Sequence, residues 1–516
     1  APRPNRPPTA LANVIADARP KFVLGPGALR DEIAGRVGDQ AGFRPRYWLD
    51  TERIDPGAAE VWRAPETGGD TLAFLQYTSG STALPKGVMV SHGNLLANVG
   101  VVSQCFQHPP GGAAVGWLPP YHDMGLISMI VAPVCLGVPS VVMSPMAFLQ
   151  HPLRWLQAIS KYRAATSGGP SFAYDLCVRR IAPEQREGLD LGDWSLAFIG
   201  SEPVRPETLD AFARAFAPCG FRRQAFTPCY GLAESTLFVT GVARAAAPRT
   251  RPFSKKSLER GRVARPSKPN GDARWLVSSG TPWGDVGLKI VDPETGRECR
   301  GDAIGEIWVS GSSVAKGYWN RPESTEKYFR ARLRDGRGET FLRTGDLGFV
   351  SEGELFIAGR RKGLIIIDGR NHYPHDIEAT VERSHTLIRP GGCVAFALEV
   401  HGEERLAIVA EIDRKALRNG NGSGPARGRA GSPEAWSSVL TAIRTAVAMD
   451  HDVSVHAISL VRPGAVPKTS SGKPRRQLCR AMFLEDSLEE CRRWQPARRR
   501  RAPPAPAAVS SRELIR

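Results

Sequence analysis

The 516-residue sequence predicts an α/β fold. Short apolar runs alternate with amphipathic helical patterns through roughly the first two-thirds of the chain, which is typical of layered α/β proteins. From Trp275 to Val309 the pattern changes to strand–turn–strand, with Asp292–Gly296 as a turn. A smaller α/β unit begins after Gly359. A chain of this length can form two or more domains around a large core.

The individual elements follow from the spacing of apolar residues. The run Thr71–Tyr77 predicts a buried strand that leads into a loop rich in Ser and Gly. Other short apolar runs predict strands and two amphipathic patterns predict helices, namely strands Ala114–Leu118, Ser140–Met143, Leu196–Ile199 and Leu364–Ile367 and helices Pro152–Tyr162 and Pro206–Phe216.

Three segments need a separate interpretation. The apolar run Leu126–Met143 is almost long enough to span a membrane. Because Pro133 and Gly137 interrupt it, we predict a buried helix followed by a buried strand, and no membrane span. The segment Arg414–Pro433 is rich in Gly, Asn, Arg and Ser and predicts a mobile loop. Residues after Gln495 are predicted to be disordered.

The composition is that of an ordinary globular protein, with 41% hydrophobic and 23% charged residues. The nine cysteines show no paired metal spacing. Reduced thiols fit a chain of this size better than a disulfide framework does. The N-terminus has no apolar signal core. We therefore expect a cytoplasmic protein, and we expect a monomer.

The net charge of +17 leaves two interpretations open. A basic chain suits an acidic partner. It is equally consistent with the basic surface of a protein from an arginine-rich proteome. No nucleic-acid fold signature and no basic stripe interleaved with aromatic residues occurs in the sequence, so no nucleic-acid binding is expected.

The loop within Tyr77–Val88 is the strongest functional signal. It combines hydroxyl groups, glycines and one lysine, which together suit a polyphosphate. Its candidate ligand residues are Thr78, Ser79, Gly80, Ser81, Thr82 and Lys86. It is not a Walker A loop, because Gly87 follows Lys86 where Ser or Thr is required. Taken alone, the loop is better explained as a Ser/Gly-rich surface turn than as a phosphate-binding loop.

Three further motifs remove that ambiguity: Cys229–Ser235, Leu342–Gly348 and Pro467–Pro474. With the first loop, they have the order and spacing of the adenylate-forming superfamily, which includes acyl-CoA ligases, peptide-synthetase adenylation domains and luciferases. The chain resembles that superfamily from about Pro2 to about Glu490.

The resemblance implies a large N-terminal domain of two sheets with helices plus a β-barrel subdomain, then a small mobile α+β domain. We place the AMP-binding domain at residues 1–359, the mobile domain at 360–494 and a basic Pro/Ala-rich tail at 495–516. Superfamily members carry a further unit before the position of Ala1, so the first domain is expected to lack its first segment.

The resemblance also assigns roles to residues. The phosphate loop would hold the β- and γ-phosphates, Tyr230 would stack on adenine and Glu234 would ligate Mg²⁺. Lys473 is the predicted catalytic lysine that bridges the carboxylate and the α-phosphate, with Lys468 as the competing candidate. The remaining nucleotide contacts fall on backbone at the adenine site and on polar groups at the ribose: Gly200, Ser201, Glu202, Gly231, Asp346 and Arg360.

A finer resemblance is to fatty acyl-AMP ligases. The segment Trp117–Leu126 resembles their acyl-site motif and contains the predicted catalytic residue His122. Ala233 before Glu234 is also a mark of that subfamily. The segment Lys327–Phe341 resembles an insertion that accompanies transfer to an acyl carrier protein in place of coenzyme A.

The predicted function is therefore the ATP- and Mg²⁺-dependent activation of a medium- or long-chain fatty acid to its acyl-adenylate. The acyl group would pass to the phosphopantetheine arm of an acyl carrier protein or of a polyketide or peptide synthase. Two alternatives remain: a fatty acyl-CoA ligase, and a non-catalytic adenylate-binding protein that arises through N-terminal truncation.

Overall fold

The computed structural model describes residues 9–37, 48–78, 85–244, 246–267, 272–336, 338–413, 433–469 and 472–495. These residues form two compact units. The first contains the described residues up to His375 together with Pro467–Ala481. The second contains Asp376–Val466 and the described residues from Met482 onward. The domain boundary after residue 359 stays a prediction, and residues 414–432 and the tail after Gln495 lie outside the described residues.

Strands and helices are numbered here in chain order. Strands β1–β23 are Val23–Gly25, Trp48–Asp50, Leu72–Thr78, Lys86–Ser91, Ala113–Gly116, Ser140–Val142, Ala164–Gly169, Leu196–Ile199, Phe226–Gly231, Phe238–Gly241, Thr250–Ser254, Ala273–Val277, Thr281–Pro282, Gly287–Val291, Gly305–Ser310, Leu342–Ser351, Glu354–Arg360, Ile365–Ile367, Arg370–His372, Ile388–Val400, Glu403–Ile412, Val455–Val461 and Glu490–Trp494. Helices α1–α14 are Thr9–Ala18, Gly27–Val37, His92–Phe106, Asp123–Leu126, Ala132–Leu136, Pro145–Gln150, Leu153–Lys161, Ser171–Arg180, Pro206–Phe216, Lys255–Glu259, Pro322–Phe329, Pro374–Ser384, Pro433–His451 and Arg476–Leu484.

The largest sheet of the first unit has the strand order β13-β10-β9-β8-β7-β5-β6. Strands β6, β5, β7, β8 and β9 are parallel, and β10 and β13 complete the sheet as antiparallel strands. Every residue of β7 and β8 is buried, as expected for parallel strands covered on both faces. The α/β fold class is thus confirmed. The carboxyl ends of β8 and β9 lie side by side, where α/β sheets bind their ligands.

The strand predicted at Thr71–Tyr77 is β3, which pairs with β4 as an antiparallel hairpin. The prediction of a buried strand was only partly correct. Strand β3 is mostly half-buried, and Gln76 is its one buried residue. Thr78 and Lys86 face each other at the base of the hairpin loop. Both ends of the predicted phosphate loop are therefore fixed by strand pairing.

Helix α3 follows β4 directly and begins at a capping box. The Ser91 hydroxyl accepts from the backbone N–H of Asn94, whose side chain in turn accepts from the Ser91 N–H. The Asn94 amide also donates to the carbonyls of Ser312 and Val314 at 2.8 and 2.9 Å. This cap therefore attaches the phosphate-loop hairpin to the segment before Tyr318.

The strand–turn–strand pattern predicted from Trp275 to Val309 is confirmed. Strands β14, β15, β16 and β17 form an antiparallel sheet in that order, and β11 pairs with β12. Asp346 and Arg360 face each other across β16 and β17.

The second unit contains the sheet β20-β21-β22-β23. Strand β21 is buried continuously from Leu406 to Ile412, as expected for the strand between β20 and β22. Strands β21 and β22 are parallel, and the connection between them contains helix α13.

The apolar run Leu126–Met143 differs in part from its prediction. It forms the end of α4, a π-helical turn at Ile127–Val131, helix α5 and strand β6. The helix-then-strand order is correct, but α5 is not wholly buried, since Val134 is 78% exposed. Within the described residues, no helix is long and apolar enough to span a membrane.

Trp155 on α7 holds the aromatic part of the core together. It is fully buried, its Nε1 donates to the Ser167 hydroxyl at 2.8 Å, and its ring lies edge-on to Tyr174 and Trp194. Trp155→Ala should lower the free energy of unfolding by about 3–5 kcal/mol, because it leaves a large cavity and removes the hydrogen bond to the Ser167 hydroxyl. Denaturant unfolding would measure this, and Trp275→Ala, at a residue that is 50% exposed, provides the control.

Candidate active site

The first part of the candidate site lies at the carboxyl end of β9. Tyr230 is 9% exposed, and its hydroxyl donates a hydrogen bond to Oδ2 of Asp346 at 2.8 Å. Burial and the neighbouring Asp346 carboxylate raise the pKa of Tyr230, so the hydroxyl stays a proton donor at neutral pH. A fixed aromatic ring at a strand end provides what the predicted adenine contact requires.

Two glycines permit close backbone approach beside Tyr230. A Cβ on Gly231 would lie 1.8 Å from the carbonyl oxygen of Leu237, and one on Gly200 would lie 2.6 Å from that of Cys229. Next to Gly200, Ser201 has a φ of 69°, in the left-handed region that few non-glycine residues adopt. The backbone at the ends of β8 and β9 is therefore held in a conformation that a side chain at either glycine would disturb.

Asp346 has a partner on each carboxylate oxygen. Tyr230 donates to Oδ2, and the Nε of Arg360 lies 3.0 Å from Oδ1. The Asp346 carboxylate raises the pKa of Arg360. An ionised carboxylate only accepts hydrogen bonds, which suits the predicted contact with the two hydroxyl groups of a ribose.

Glu306 supports this carboxylate and was not found from the sequence. It is 1% exposed and accepts from Nη2 of Arg343 at 2.6 Å and from the N–H of Gly345 at 3.1 Å. Buried charges of this kind are retained only when they are paired. The pairing of β15 with β16 brings Glu306 to Gly345, next to Asp346 in β16, and no local sequence pattern indicates that contact.

Glu234 lies in a short turn after β9. Its Oε1 accepts a hydrogen bond from the Tyr318 hydroxyl at 2.8 Å, and its carbonyl accepts from the N–H of Ala315 at 3.0 Å. Among the described residues, no group of three or more His, Cys, Asp or Glu side chains could hold a metal ion. A single carboxylate is compatible with Mg²⁺, which proteins commonly bind through one or two carboxylates together with substrate phosphates.

Lys86 at the end of the predicted phosphate loop rests on two aromatic rings. Its ammonium lies 4.7 Å from the ring centroid of Tyr318 and 5.4 Å from that of Tyr328. Neither tyrosine was predicted as a site residue. Thr78 is at the other end of the loop, and the predicted ligands Ser79, Gly80, Ser81 and Thr82 lie outside the described residues.

Lys473 lies with charged groups that are distant in sequence. Burial lowers the pKa of Lys473, while the carboxylates of Glu202 and Asp123 favour its protonated form. The N–H of Lys473 donates to the Thr469 hydroxyl at 3.1 Å. The structure therefore brings the predicted catalytic lysine near Glu202, in the segment predicted to line the adenine site.

Glu202 and His122 respond to the same surroundings. Burial raises the pKa of Glu202, opposed by Lys473 and Arg205, and its Oε1 accepts from the N–H of Phe172 at 3.3 Å. Burial also lowers the pKa of His122, opposed by the Asp123 carboxylate and assisted by Lys473. The shift favours the neutral form of His122, which precedes the first turn of α4. Such perturbed groups concentrate at functional sites.

An apolar cavity opens beside these groups. Its lining includes polar residues near the strand ends and a deeper apolar part formed by Val102, Phe106, Met124, Phe198, Leu237 and Phe238. The rings of Phe106 and Phe238 meet edge-on at 5.6 Å, and Phe106 stacks on Phe198 at 6.2 Å. The same cavity reaches Tyr230 and Gly231, so its apolar lining adjoins the carboxyl end of β9.

Comparisons with known proteins agree with this arrangement. Residues 3–319 match the AMP-binding enzyme family. The chain is 42% identical over 504 residues to the medium-chain-fatty-acid–[acyl-carrier-protein] ligase JamA of Moorena producens, covering 97% of this chain and 82% of that protein. It is 38% identical to the long-chain-fatty-acid–AMP ligase FadD26 of Mycobacterium marinum, covering 93% and 81%.

A solved structure extends the comparison to the fold. The fatty acyl-adenylate ligase of Legionella pneumophila, in complex with acyl adenylate and pyrophosphate, is 40% identical with a TM-score of 0.67. The match covers 95% of this chain and 81% of that one. Fold and site thus define an ATP-using, AMP-binding enzyme. Within that class, the chain belongs to the fatty acyl-AMP ligases of the adenylate-forming superfamily.

The glycine contacts give a direct test of the site. Gly231→Ala should weaken ATP binding and slow catalysis strongly, since a shift of about 1 Å in a positioning segment can cost about 100-fold in rate. Calorimetry with ATP would measure the binding.

Gly100→Ala on α3 is the matched control, because its added Cβ would meet no heavy atom within 4 Å beyond its chain neighbours and the backbone of its own helix. It should bind ATP like the unmodified protein and gain about 0.5–1 kcal/mol in stability. Equal ATP affinity in the two variants would contradict the assigned position of Gly231.

Proposed function

We propose that this chain activates a medium- or long-chain fatty acid with ATP and transfers the acyl group to an acyl carrier protein. In the first step a carboxylate oxygen attacks the α-phosphorus of ATP and pyrophosphate leaves. In the second, the phosphopantetheine thiol loses its proton and attacks the acyl carbonyl, and AMP leaves. The grouping of Lys473 with Asp123, His122 and Glu202 beside the Tyr230–Asp346 pair is the observation that carries this proposal.

Each group has a role that follows from its chemistry. Tyr230, Gly231 and the backbone of Gly200–Glu202 hold adenine, and Asp346 with Arg360 holds the ribose. Thr78 and Lys86 flank the loop proposed for the β- and γ-phosphates. Lys473 places an ammonium between the attacking carboxylate and the α-phosphate, where negative charge has to be stabilised.

Glu234 is the proposed ligand of Mg²⁺, which when bound would neutralise phosphate charge and orient the departing pyrophosphate. His122 is the proposed neutral catalytic group near the carboxylate. The apolar cavity lined by Phe106, Phe198 and Phe238 is the proposed place for the acyl chain, since it ends in closely packed aromatic rings.

Two observations support an acyl carrier protein as the proposed acceptor: the basic charge of this chain and its similarity to a ligase that acts on such a carrier. The net charge of +17 suits an acidic partner. JamA is named as a ligase that acts on an acyl carrier protein. We further propose a monomer in the cytoplasm that serves a polyketide or peptide synthase. The described cysteines form no disulfide, which is compatible with a reducing compartment.

Lys473→Ala should reduce the rate of acyl-adenylate formation by about 100- to 1,000-fold, by analogy with the loss of one donor to a developing anion. Pyrophosphate release from ATP and dodecanoate measures this. Lys468→Ala, in the same loop, is the matched control and should retain most activity. A normal rate for Lys473→Ala would exclude the assigned role.

The pH dependence should report the same lysine. Because burial lowers its pKa, Lys473 loses its proton at a lower pH than an exposed lysine would. Adenylation should therefore fall on the alkaline side well before pH 10.4, the ordinary lysine value. In Lys473→Arg, the fall should move to higher pH, since arginine keeps its charge. An unchanged alkaline limit would contradict the prediction.

The acceptor is tested by mass spectrometry of the products from dodecanoate, ATP, Mg²⁺ and coenzyme A, with and without a holo acyl carrier protein. We expect acyl-adenylate without acyl-CoA. When the carrier protein is present, we expect its acylated form. Acyl-CoA as the main product would replace the carrier proposal by the acyl-CoA ligase activity.

A further inference from the structure

The segment Ala315–Trp319 joins the phosphate-loop hairpin to the turn that carries Glu234. It runs antiparallel to β4. The N–H of Met89 donates to the Gly317 carbonyl at 2.9 Å, and the N–H of Trp319 donates to the Gly87 carbonyl at 2.8 Å. At its start, the N–H of Ala315 donates to the Glu234 carbonyl at 3.0 Å. This short segment thus holds both the phosphate-loop hairpin and the Glu234 turn through backbone hydrogen bonds.

Strand geometry then places the side chain of Tyr318 near both Lys86 and Glu234. Val88 and Tyr318 are directly opposed, so their side chains share a face. Lys86 is two residues from Val88 and lies on that same face, at the diagonal position that long side chains reach. The observed distance of 4.7 Å from the Lys86 ammonium to the Tyr318 ring centroid agrees with this register.

A second ring completes the seat of the lysine. Tyr328 on α11 has its centroid 5.4 Å from the Lys86 ammonium. Its ring meets Tyr318 at 6.4 Å and an interplanar angle of 77°. The two rings therefore form a corner in which the ammonium contacts aromatic faces.

The hydroxyl of Tyr318 reaches the carboxylate. It donates to Oε1 of Glu234 at 2.8 Å, and Tyr318 is 8% exposed. Among the described residues, no ion pair joins Lys86 to Glu234. The ring of Tyr318 takes the lysine on its face and the glutamate at its edge, and so separates two charges that would otherwise attract each other.

We propose that Tyr318 is a positioning residue that holds Lys86 and Glu234 apart, each ready for a different part of Mg²⁺-ATP. This inference rests on the proposed function, in which Lys86 meets phosphate and Glu234 meets the metal ion. If the two charges paired with each other, that ion pair would have to break before the nucleotide bound. Tyr318 removes this competition and orients the metal carboxylate, as groups behind metal ligands commonly do.

The two contacts can be separated by substitution. Tyr318→Phe keeps the ring beneath Lys86 and removes the hydrogen bond to Glu234. It should raise the Mg²⁺ concentration that half-maximally promotes ATP binding by about 10-fold, and leave ATP binding without Mg²⁺ unchanged. Tyr318→Leu removes both contacts and should weaken ATP binding with and without Mg²⁺. Tyr328→Leu should weaken ATP binding without Mg²⁺ and leave the Mg²⁺ dependence unchanged.

The experiment is calorimetry of ATP binding to the full chain over a series of Mg²⁺ concentrations and in EDTA, with no fatty acid present. Tyr373→Phe is the matched control, because it loses another buried tyrosine hydroxyl, which donates to the Leu258 carbonyl at 3.3 Å. Thermal melting of each variant checks folding. Should the Tyr318 variants unfold, Tyr328→Leu still tests whether the aromatic rings around Lys86 position its ammonium for ATP.

The inference would be overturned if Tyr318→Phe and Tyr373→Phe required the same Mg²⁺ concentration for half-maximal promotion of ATP binding. In a Glu234→Gln background, Tyr318→Phe should cause no further change in Mg²⁺ dependence, since the hydroxyl acts through that carboxylate; an additive change would also overturn it. ATP binding with these Mg²⁺ effects but without adenylate formation would instead reject the proposed function alone.

Discussion

The hydrogen bond between Tyr230 and Asp346 is the contact around which the candidate site is arranged. It joins residues 116 positions apart and connects the end of a parallel strand to strand β16 of an antiparallel sheet. Because Arg360 pairs with the other oxygen of Asp346 and Glu306 accepts from the N–H of the preceding Gly345, the carboxylate has little freedom. A ligand that spans adenine and ribose would meet these groups already in position, which lowers the entropic cost of ordering them.

Buried charge is the second constraint on the site. Lys473 and Glu202 are both shifted by burial toward their neutral forms, and each favours the charged form of the other. Keeping such groups out of water is unfavourable for stability, since burial of charge costs more than a surface pair returns. Their proximity supports the proposed catalytic role, because developing charge is stabilised most effectively where water is excluded.

The same logic explains the apolar surroundings. Phe106 packs on Phe198 and Phe238 beside Met124, and the cavity that these residues line reaches Tyr230 at the carboxyl end of β9. The proposed acyl site is therefore apolar and adjoins the strand end that carries the proposed nucleotide contacts. Segment Ala315–Trp319 adds the remaining link, since it attaches the phosphate-loop hairpin and the Glu234 turn through backbone bonds that are independent of any bound nucleotide.

The sequence by itself determined the α/β class, most strands of the parallel sheet, the helix Pro206–Phe216 and the motifs that carry Tyr230, Glu234, Asp346 and Lys473, since these depend on local periodicity and short spacings. Only the tertiary structure decided that Glu306 accepts a hydrogen bond from the backbone next to Asp346 in β16. It also decided that Tyr318 contacts both Lys86 and Glu234, and that α5 exposes Val134. The physical reason is that strand pairing and burial bring together residues far apart in sequence, and local patterns carry no information about those contacts.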